Sequence, residues 1–340
     1  MPATVPVDAL PVPVMLIGPD QIVAAVSPSL ADVLGPRLAG RHYVTALRQP
    51  PLLDAIEDAF RSQNTRQSQF LGRDGARDTT WGVTITPHRG TLILTFDDRT
   101  AAHDVGQLRR DFVANVSHEL RTPLTALQGF IETLRGAARD DAQARERFLA
   151  IMERETTRMT QLVDDLLSLS RVEENERLRP NAAINLGQLV SATLEDLGPV
   201  IEQSGLSVTL SDESAGVHVL GDSNQLRQVI VNLVQNALKY GSDGGRIALR
   251  IDPPSHFRKL RGDGLALHVT DYGRGIAPHH LPRLTERFYR VDSHRSRGLG
   301  GTGLGLAIVK HILNRHRGRL TISSTLGQGT TCTVILPLAD

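Results

Sequence analysis

The sequence predicts an α+β chain of three modules in order: a small α/β module, a long helical hairpin and an α/β sandwich. Three observations predict it. Apolar residues recur at three-to-four spacing through 111–134 and again through 148–169, with a polar break between. Short alternating runs separated by Gly, Pro and Asp turns occupy residues 10–100. From residue 186 onward helical and strand patterns alternate.

A chain of 340 residues is long enough for two or three domains. A formal net charge of +1, with 22% charged residues, leaves no bulk field to attract nucleic acid or anionic lipid, so no direct nucleic-acid partner is expected. The single cysteine, Cys332, excludes a disulfide framework or a cysteine metal cluster and fits a reducing cytosol. No apolar run approaches the roughly 18 to 20 residues that span a bilayer. The start, MPATVPVDALPVPVMLIGPD, lacks a basic segment and is broken by prolines, unlike a signal peptide. A cytoplasmic location is expected for the chain as written.

In the first module, VMLIGPDQIVAAV (14–26) reads as strand–turn–strand around Gly18-Pro19-Asp20. ALRQPPLLDAIEDAFRS reads as a helix through Leu52, Leu53, Ile56 and Phe60. SQFLGRD, TTWGVTITPH and GTLILTFDD read as strands, turning at Asp74-Gly75 and Arg89-Gly90. In length, order and position this resembles a PAS sensor domain, assigned to 1–100, with Ser27 where such domains commonly carry Asn. No cysteine lies here, which excludes cysteinyl-flavin photochemistry. His42 is read as structural and Trp81 as core.

Residues 99–111, RTAAHDVGQLRRD, read as a charged helical connector into DFVANVSHELRTPLTALQGFIETL. There Phe112, Val116, Leu120, Leu124, Leu127, Ile131 and Leu134 make one stripe. His118 lies about 200° around the helix from Val116 and points into solvent. Pro123 cannot bond the carbonyl of Glu119, so the helix is expected to bend or loosen beside the histidine. Gly136 to Asp141 break the pattern, and Asp140 and Asp141 suit a cap for the next helix. That helix carries Phe148, Ile151, Met152, Met159, Leu162, Val163, Leu166, Leu167 and Leu169. Two helices with one stripe each bury too little alone, so a homodimer forming an antiparallel four-helix bundle is expected.

FVANVSHELRTPLTAL resembles the H-box of sensor histidine kinases, and RRDFVANVSHELRTPL (109–124) resembles that of their phosphate-regulon, PhoR-like branch. The resemblance implies that His118 accepts a phosphoryl group. HELRT (118–122) is similar to the family's HExxT pattern, which implies that Thr122 positions water to dephosphorylate a response regulator. Glu119 is read as accepting or orienting the other ring proton, which fixes the imidazole tautomer. Arg121 is read equally well as a group steadying phosphoryl oxygens or as a solvated helix residue. The dimerisation and phosphotransfer module is assigned to 101–178.

Asn175 to Asn185 is polar, carries Pro180 and reads as a linker. Beyond it, NLGQLVSATLEDLGPVIEQSG reads as one amphipathic helix and LSVTLSD as a strand. GDSNQLRQVIVNLVQNALKYG reads as a helix capped by Asp222 or Ser223, and RIALRID, LALHVTD, RLTISST and TCTVILPL as strands. The sum is a mixed sheet covered on one face by helices.

Four clusters in this module point to one chemistry. Asn232 and Asn236 share a helix face at i, i+4, and amide oxygens suit Mg²⁺ bridging phosphates, with Lys239 adding charge. Alone, the pair is as well explained by bonds to neighbouring groups. Asp271 ends a strand before Gly273 and Gly275, so a carboxylate can meet an exocyclic amine while a flat base approaches the backbone. ERFYRVD (286–292) places an aromatic pair among arginines before SHRSRGLG, which reads as a lid. GGTGLGLAIVKHI opens a helix with Gly300, Gly301, Gly303 and Gly305, a phosphate cradle of unhindered N–H groups.

In this order the clusters resemble the N, G1, F and G2 boxes of the GHKL ATPase superfamily, over essentially all of 186–340. The resemblance implies an ATP-binding domain, assigned to 182–340, with ATP and Mg²⁺. It implies that Asn236 holds the metal, that Asn232 and Lys239 support the phosphates and that Tyr240 lies near the nucleoside. Asp271 would read the adenine, with Gly273, Gly275 and Thr330 around the base. Phe288 marks the F box, and Gly301, Thr302, Gly303, Leu304 and Gly305 would line the triphosphate lid.

The expected function is a two-component sensor kinase that phosphorylates His118 from ATP and passes the group to a response-regulator aspartate, with a PhoB-like partner implied by the branch. Membrane association is expected only through an anchor or partner outside this sequence. Two rivals are an ATPase machine with a helical dimerisation arm and an ATP-binding sensory scaffold without kinase activity.

Overall fold

The computed structural model describes residues 7–35, 37–75, 77–174, 178–258, 260–291 and 301–339. The chain divides into two compact units, Met1–Ala114 and Asn115–Asp340.

In the first unit β1 (Val14–Ile17) and β2 (Val23–Val26) pair antiparallel. Three helices follow: α1 (Pro28–Leu34), α2 (Tyr43–Leu47) and α3 (Pro50–Ser62). The strands β3 (Arg66–Asp74), β4 (Arg77–His88) and β5 (Thr91–Asp98) complete a five-stranded sheet in the order β2-β1-β5-β4-β3. Sequence periodicity anticipates all five strands and α3. The core joins Met15, Ile17, Leu30, Leu52, Ile56, Ile85, Leu92 and Leu94, and Trp81 packs against it partly buried. Ser27 is fully buried, and its hydroxyl accepts the Val14 N–H at 2.9 Å, tying the end of β2 to the start of β1. His42 caps α2: its Nδ1 accepts the Val44 N–H at 3.4 Å, and its Nε2 stands 3.1 Å from Gln21 Oε1.

A single helix, α4 (Thr100–Arg135), runs through the connector and the H-box without a break. It carries Pro123 inside it, so the loosening expected beside His118 does not interrupt the helix. The turn after Arg135 leads into α5 (Ala142–Glu174), whose start is capped by Asp141 accepting the Ala144 N–H at 2.9 Å. Phe130 and Phe148 face each other across the hairpin with ring centroids 5.4 Å apart.

The rest of the second unit departs from the sequence reading at the linker, at one helix and at two short strands it did not include, His218–Gly221 and Ser255–Phe257. The linker gives way to a strand, β6 (Ala182–Asn185), which pairs with β8 (His218–Gly221). The expected single helix is two, α6 (Leu186–Asp196) and α7 (Gly198–Ser204), because Pro199 cannot bond the carbonyl of Glu195 and its ring crowds the preceding turn. The main sheet uses β7 (Ser207–Asp212), β9 (Arg246–Ile251), a short β10 (Ser255–Phe257), β11 (Gly262–Asp271), β12 (Arg319–Thr325) and β13 (Gly329–Pro337). Its order is β12-β13-β11-β9-β7, with β10 paired to β11; β7 and β9 run parallel and the other pairs antiparallel.

Two helices carry the site, α8 (Ser223–Tyr240) and α9 (Gly305–Arg315), and they pack on each other and on the sheet. The buried face of α8, with Val229, Ile230, Leu233 and Val234, meets a core that includes Ile247, Leu249, Leu267 and Ile308. Each such side chain contributes roughly 1.5–3 kcal/mol. His316, 1% exposed, locks the two helices together. Its Nδ1–H donates to Ile312 O at 2.7 Å, and its Nε2 accepts the Asp222 N–H at 3.0 Å. Burial holds its pKa below the usual histidine value.

Candidate active site

The second unit presents a histidine face and a nucleotide-type cradle. On α4, His118 is exposed, whereas Glu119, next to it, is half-buried. Arg158 on α5 donates from Nη2 to the Glu119 carboxylate at 2.9 Å and also lies 3.8 Å from Glu155. The Thr122 hydroxyl donates to the His118 carbonyl at 3.1 Å, one turn back on the same exposed face.

Arg158 was not singled out by the sequence reading. The signal was available, since Glu119 and Arg158 stand equally far from the middle of the Gly136–Asp141 turn. An antiparallel hairpin therefore sets them opposite each other.

The cradle forms where α8, the end of β11 and the start of α9 meet. Asp222 opens α8 by accepting the N–H groups of Asn224 and Gln225 at 3.0 and 3.2 Å. Two turns and more along, Asn232, Asn236 and Lys239 lie half-buried, and Tyr240 is exposed. Gly305, the first residue of α9, lies so near that a Cβ on it would stand 3.2 Å from Asn232 Oδ1. Asn232 Nδ2 is buried without a hydrogen-bond partner. A Cβ on Gly301 would stand 3.0 Å from the Tyr240 hydroxyl. Phe288 adopts φ +63° and donates its N–H to Gly303 O at 2.9 Å. Leu304 is fully buried, and its N–H reaches the Thr302 hydroxyl at 3.3 Å.

At the floor, Asp271 is 9% exposed, and its Oδ1 accepts the Gly273 N–H at 3.0 Å. Burial pushes its carboxyl pKa up, against the backbone hydrogen bonds from Gly273 and Thr330 that pull it down. Thr330 lies directly opposite Asp271 in the β11–β13 register, its hydroxyl 2.9 Å from Ser324 Oγ. Two glycines make the close approach here. A Cβ on Gly273 would stand 2.5 Å from the Tyr240 carbonyl, and Gly275, at φ +68°, would drive one into Thr325.

A second residue outside the sequence reading enters the cradle from α5. Asp165, 7% exposed, accepts the Thr302 hydroxyl on Oδ2 at 2.7 Å and Gln161 Nε2 on Oδ1 at 2.9 Å. Burial raises its pKa, and the charge of Lys239 draws it back; burial lowers that of Lys239, opposed by Asp165. Arg158 and Asp165 are two turns, about 10 Å, apart on one face of α5. One helix therefore touches both the neighbour of His118 and the cradle. The lid read at SHRSRGLG and Gly300 lies outside the described residues.

Among the described residues, no group of three or more His, Cys, Asp or Glu is placed to hold a metal ion. A metal in the cradle would rest on amide oxygens such as that of Asn236 together with its ligand's phosphates. The unpartnered Asn232 Nδ2, half-buried Lys239 and glycine-lined backbone are hydrogen-bond donors, a set that fits the phosphates such an ion would accompany.

Comparison with known families matches residues 108–175 to the His Kinase A (phospho-acceptor) domain and residues 221–340 to the histidine kinase-, DNA gyrase B- and HSP90-like ATPase family. The chain belongs to the sensor histidine kinases. Among curated sensor kinases, the phosphate regulon sensor protein PhoR of Pseudomonas aeruginosa is 43% identical over 251 residues, covering 74% of this chain and 55% of PhoR. The sensor-like histidine kinase SenX3 of Mycolicibacterium smegmatis is 39% identical, covering 73% of this chain and 62% of SenX3. The sensor protein SrrB of Staphylococcus aureus is 35% identical, covering 84% and 48%. The chain thus spans about half to three-fifths of the length of these relatives. The histidine kinase ThkA, solved in complex with the response regulator protein TrrA, shares the fold over 96% of both chains, with a TM-score of 0.52 at 18% identity. No helix among the described residues of this sensor kinase is long and apolar enough to cross a membrane.

Proposed function

We propose that the chain is an ATP-dependent protein-histidine kinase that phosphorylates its own His118 and hands the group to an aspartate of a separate response regulator. The observation that carries this reading is the pairing, within one compact unit, of an exposed His118 beside an anchored Glu119 with a glycine-lined cradle ending on buried Asp271.

In this reading a neutral imidazole nitrogen of His118 attacks the γ-phosphoryl in line. The new N–P bond forms as the bond from phosphorus to the ADP oxygen breaks, and ADP leaves. Glu119 takes or orients the proton on the other ring nitrogen, which fixes the tautomer and offsets imidazolium charge. Asn236 would hold Mg²⁺, which when bound would neutralise phosphate charge. Asn232 and Lys239 support the phosphates, and Asp271 accepts from the adenine amine above Gly273, Gly275 and Thr330. Tyr240 and Phe288 border the nucleoside, and residues 301–305 supply N–H groups and the helix N-terminus. Thr122 serves the reverse task, positioning water for dephosphorylation of the regulator.

The modules are 1–100 as a PAS-like sensor, 101–178 as dimerisation and phosphotransfer and 182–340 as ATP binding. Leu124, Ile131, Val163 and Leu167 are 43–51% exposed along the hairpin, a stripe that a second copy would cover. The 43% identity to PhoR supports phosphate-regulon signalling with a PhoB-like regulator.

The test is incubation with γ-labelled ATP and Mg²⁺ beside His118→Ala and Asn236→Ala variants. Label on the protein that survives base, is released by acid and is lost in both variants supports the reading. ATP hydrolysis that persists in His118→Ala with no labelled wild-type protein overturns it.

A further inference from the structure

Among the described residues only two carboxylates are buried, Asp165 and Asp271. Asp271 belongs to the proposed adenine floor; Asp165 has no part in the mechanism above. It comes from α5 of the hairpin, yet one of its oxygens is bonded to a cradle residue. Thr302, in the glycine-rich turn before α9, donates its hydroxyl proton to Asp165 at 2.7 Å, and the same oxygen accepts the Leu304 N–H at 3.3 Å. The charge of Lys239 also acts on the carboxylate through space. Gln161 fixes the second carboxylate oxygen, so the group is oriented rather than swinging freely. Nearby, the Ser168 hydroxyl and the Gln228 side chain bond each other across the same α5–α8 seam at 2.8–2.9 Å.

A carboxylate that accepts a hydrogen bond from this turn makes a contact that a phosphate oxygen makes. A triphosphate drawing on Lys239 and on the N–H groups opening α9 would meet this second anion at close range. The two cannot both be satisfied.

We propose that Asp165 stands in for a nucleotide phosphate: it holds Thr302 while the hairpin is docked, and ATP or ADP must displace it to bind. The hairpin and the nucleotide therefore compete for the same donors, and nucleotide binding frees α5 from the cradle. This inference rests on the reading of the cradle as an ATP site.

The test is nucleotide binding by the whole chain in the presence of Mg²⁺, measured calorimetrically for ATP, ADP and adenosine with wild type, Asp165→Asn and Asp165→Ser. Asparagine keeps an acceptor for Thr302 and removes the charge; serine is the smaller second variant, and circular dichroism checks that each is folded. The expected result is ATP and ADP bound about 10-fold more tightly by both variants, within the range of ordinary coupling between sites, with adenosine unchanged. Equal affinities in wild type and variants, tightening that extends to adenosine, or weaker ATP binding would each overturn the proposal. Wild-type protein that binds no nucleotide would instead overturn the ATP-site reading, and this inference with it.

Discussion

Arg158 reaches across the hairpin to Glu119, donating to its carboxylate at 2.9 Å while itself only 15% exposed. Glu119 is next to His118 in the chain, so the pair fixes where the carboxylate beside the histidine stands. Desolvation of a half-buried pair offsets much of its Coulomb attraction, so its net contribution to stability is small. Its consequence is positional. Replacing Arg158 with Met should lower the rate of His118 phosphorylation by about 10- to 100-fold, part of the 10²–10⁴ that general acid–base groups supply. ATP affinity should stay unchanged. Single-turnover labelling alongside a binding titration separates the two, and an unaltered rate would remove Arg158 from the site.

His316 makes fold stability depend on pH. Its folded pKa is lowered, so the unfolded chain binds the extra proton first as pH falls. The stability is complete above the unfolded histidine value of about 6.5 and is lost progressively below it. Urea unfolding at pH 7.5 and pH 5.5 should show the loss, and His316→Ala should flatten that part of the profile. The variant should also cost about 1–3 kcal/mol, because the Asp222 N–H loses its acceptor.

Gly275 combines φ +68° with a Cβ position occupied by Thr325. Gly275→Ala should therefore destabilise the second unit by about 2 kcal/mol or more and weaken nucleotide binding through displacement of the Asp271 floor. A drop in Tm with a raised Kd for ATP is the expected pair of results; an unchanged Tm would show the turn to be unstrained.

The apolar stripe left open on the hairpin leads to an assembly test. Leu124→Asp with Leu167→Asp should convert a dimer to a monomer in light scattering, since both positions are about half exposed in one chain. A dimer that persists would place the interface elsewhere.

The parts of the site that were legible in the sequence are local. Asn232 and Asn236 share a face because helical geometry puts i and i+4 together, and Gly273 and Gly275 announce a tight turn wherever they occur. The longer strands and long helices were legible for the same reason, through their periods. What was missed depends on tertiary register. Arg158 and Asp165 look like ordinary charged residues of an amphipathic helix until the hairpin and the cradle are docked around them. The break at Pro199 was written in the sequence but hidden by continuous amphipathic spacing on either side. The strand Ala182–Asn185 has only the short partner His218–Gly221, and nothing in its own four residues outweighs a polar neighbourhood with Pro180.

The most direct test of the central claim is to locate the phosphoryl group. After incubation with ATP and Mg²⁺ at neutral pH, fragment-ion mass spectrometry of the wild-type chain should find one modification, on His118, absent from Asn236→Ala. Phosphate on any other residue, or ATP turnover that leaves the chain unmodified, would contradict the account.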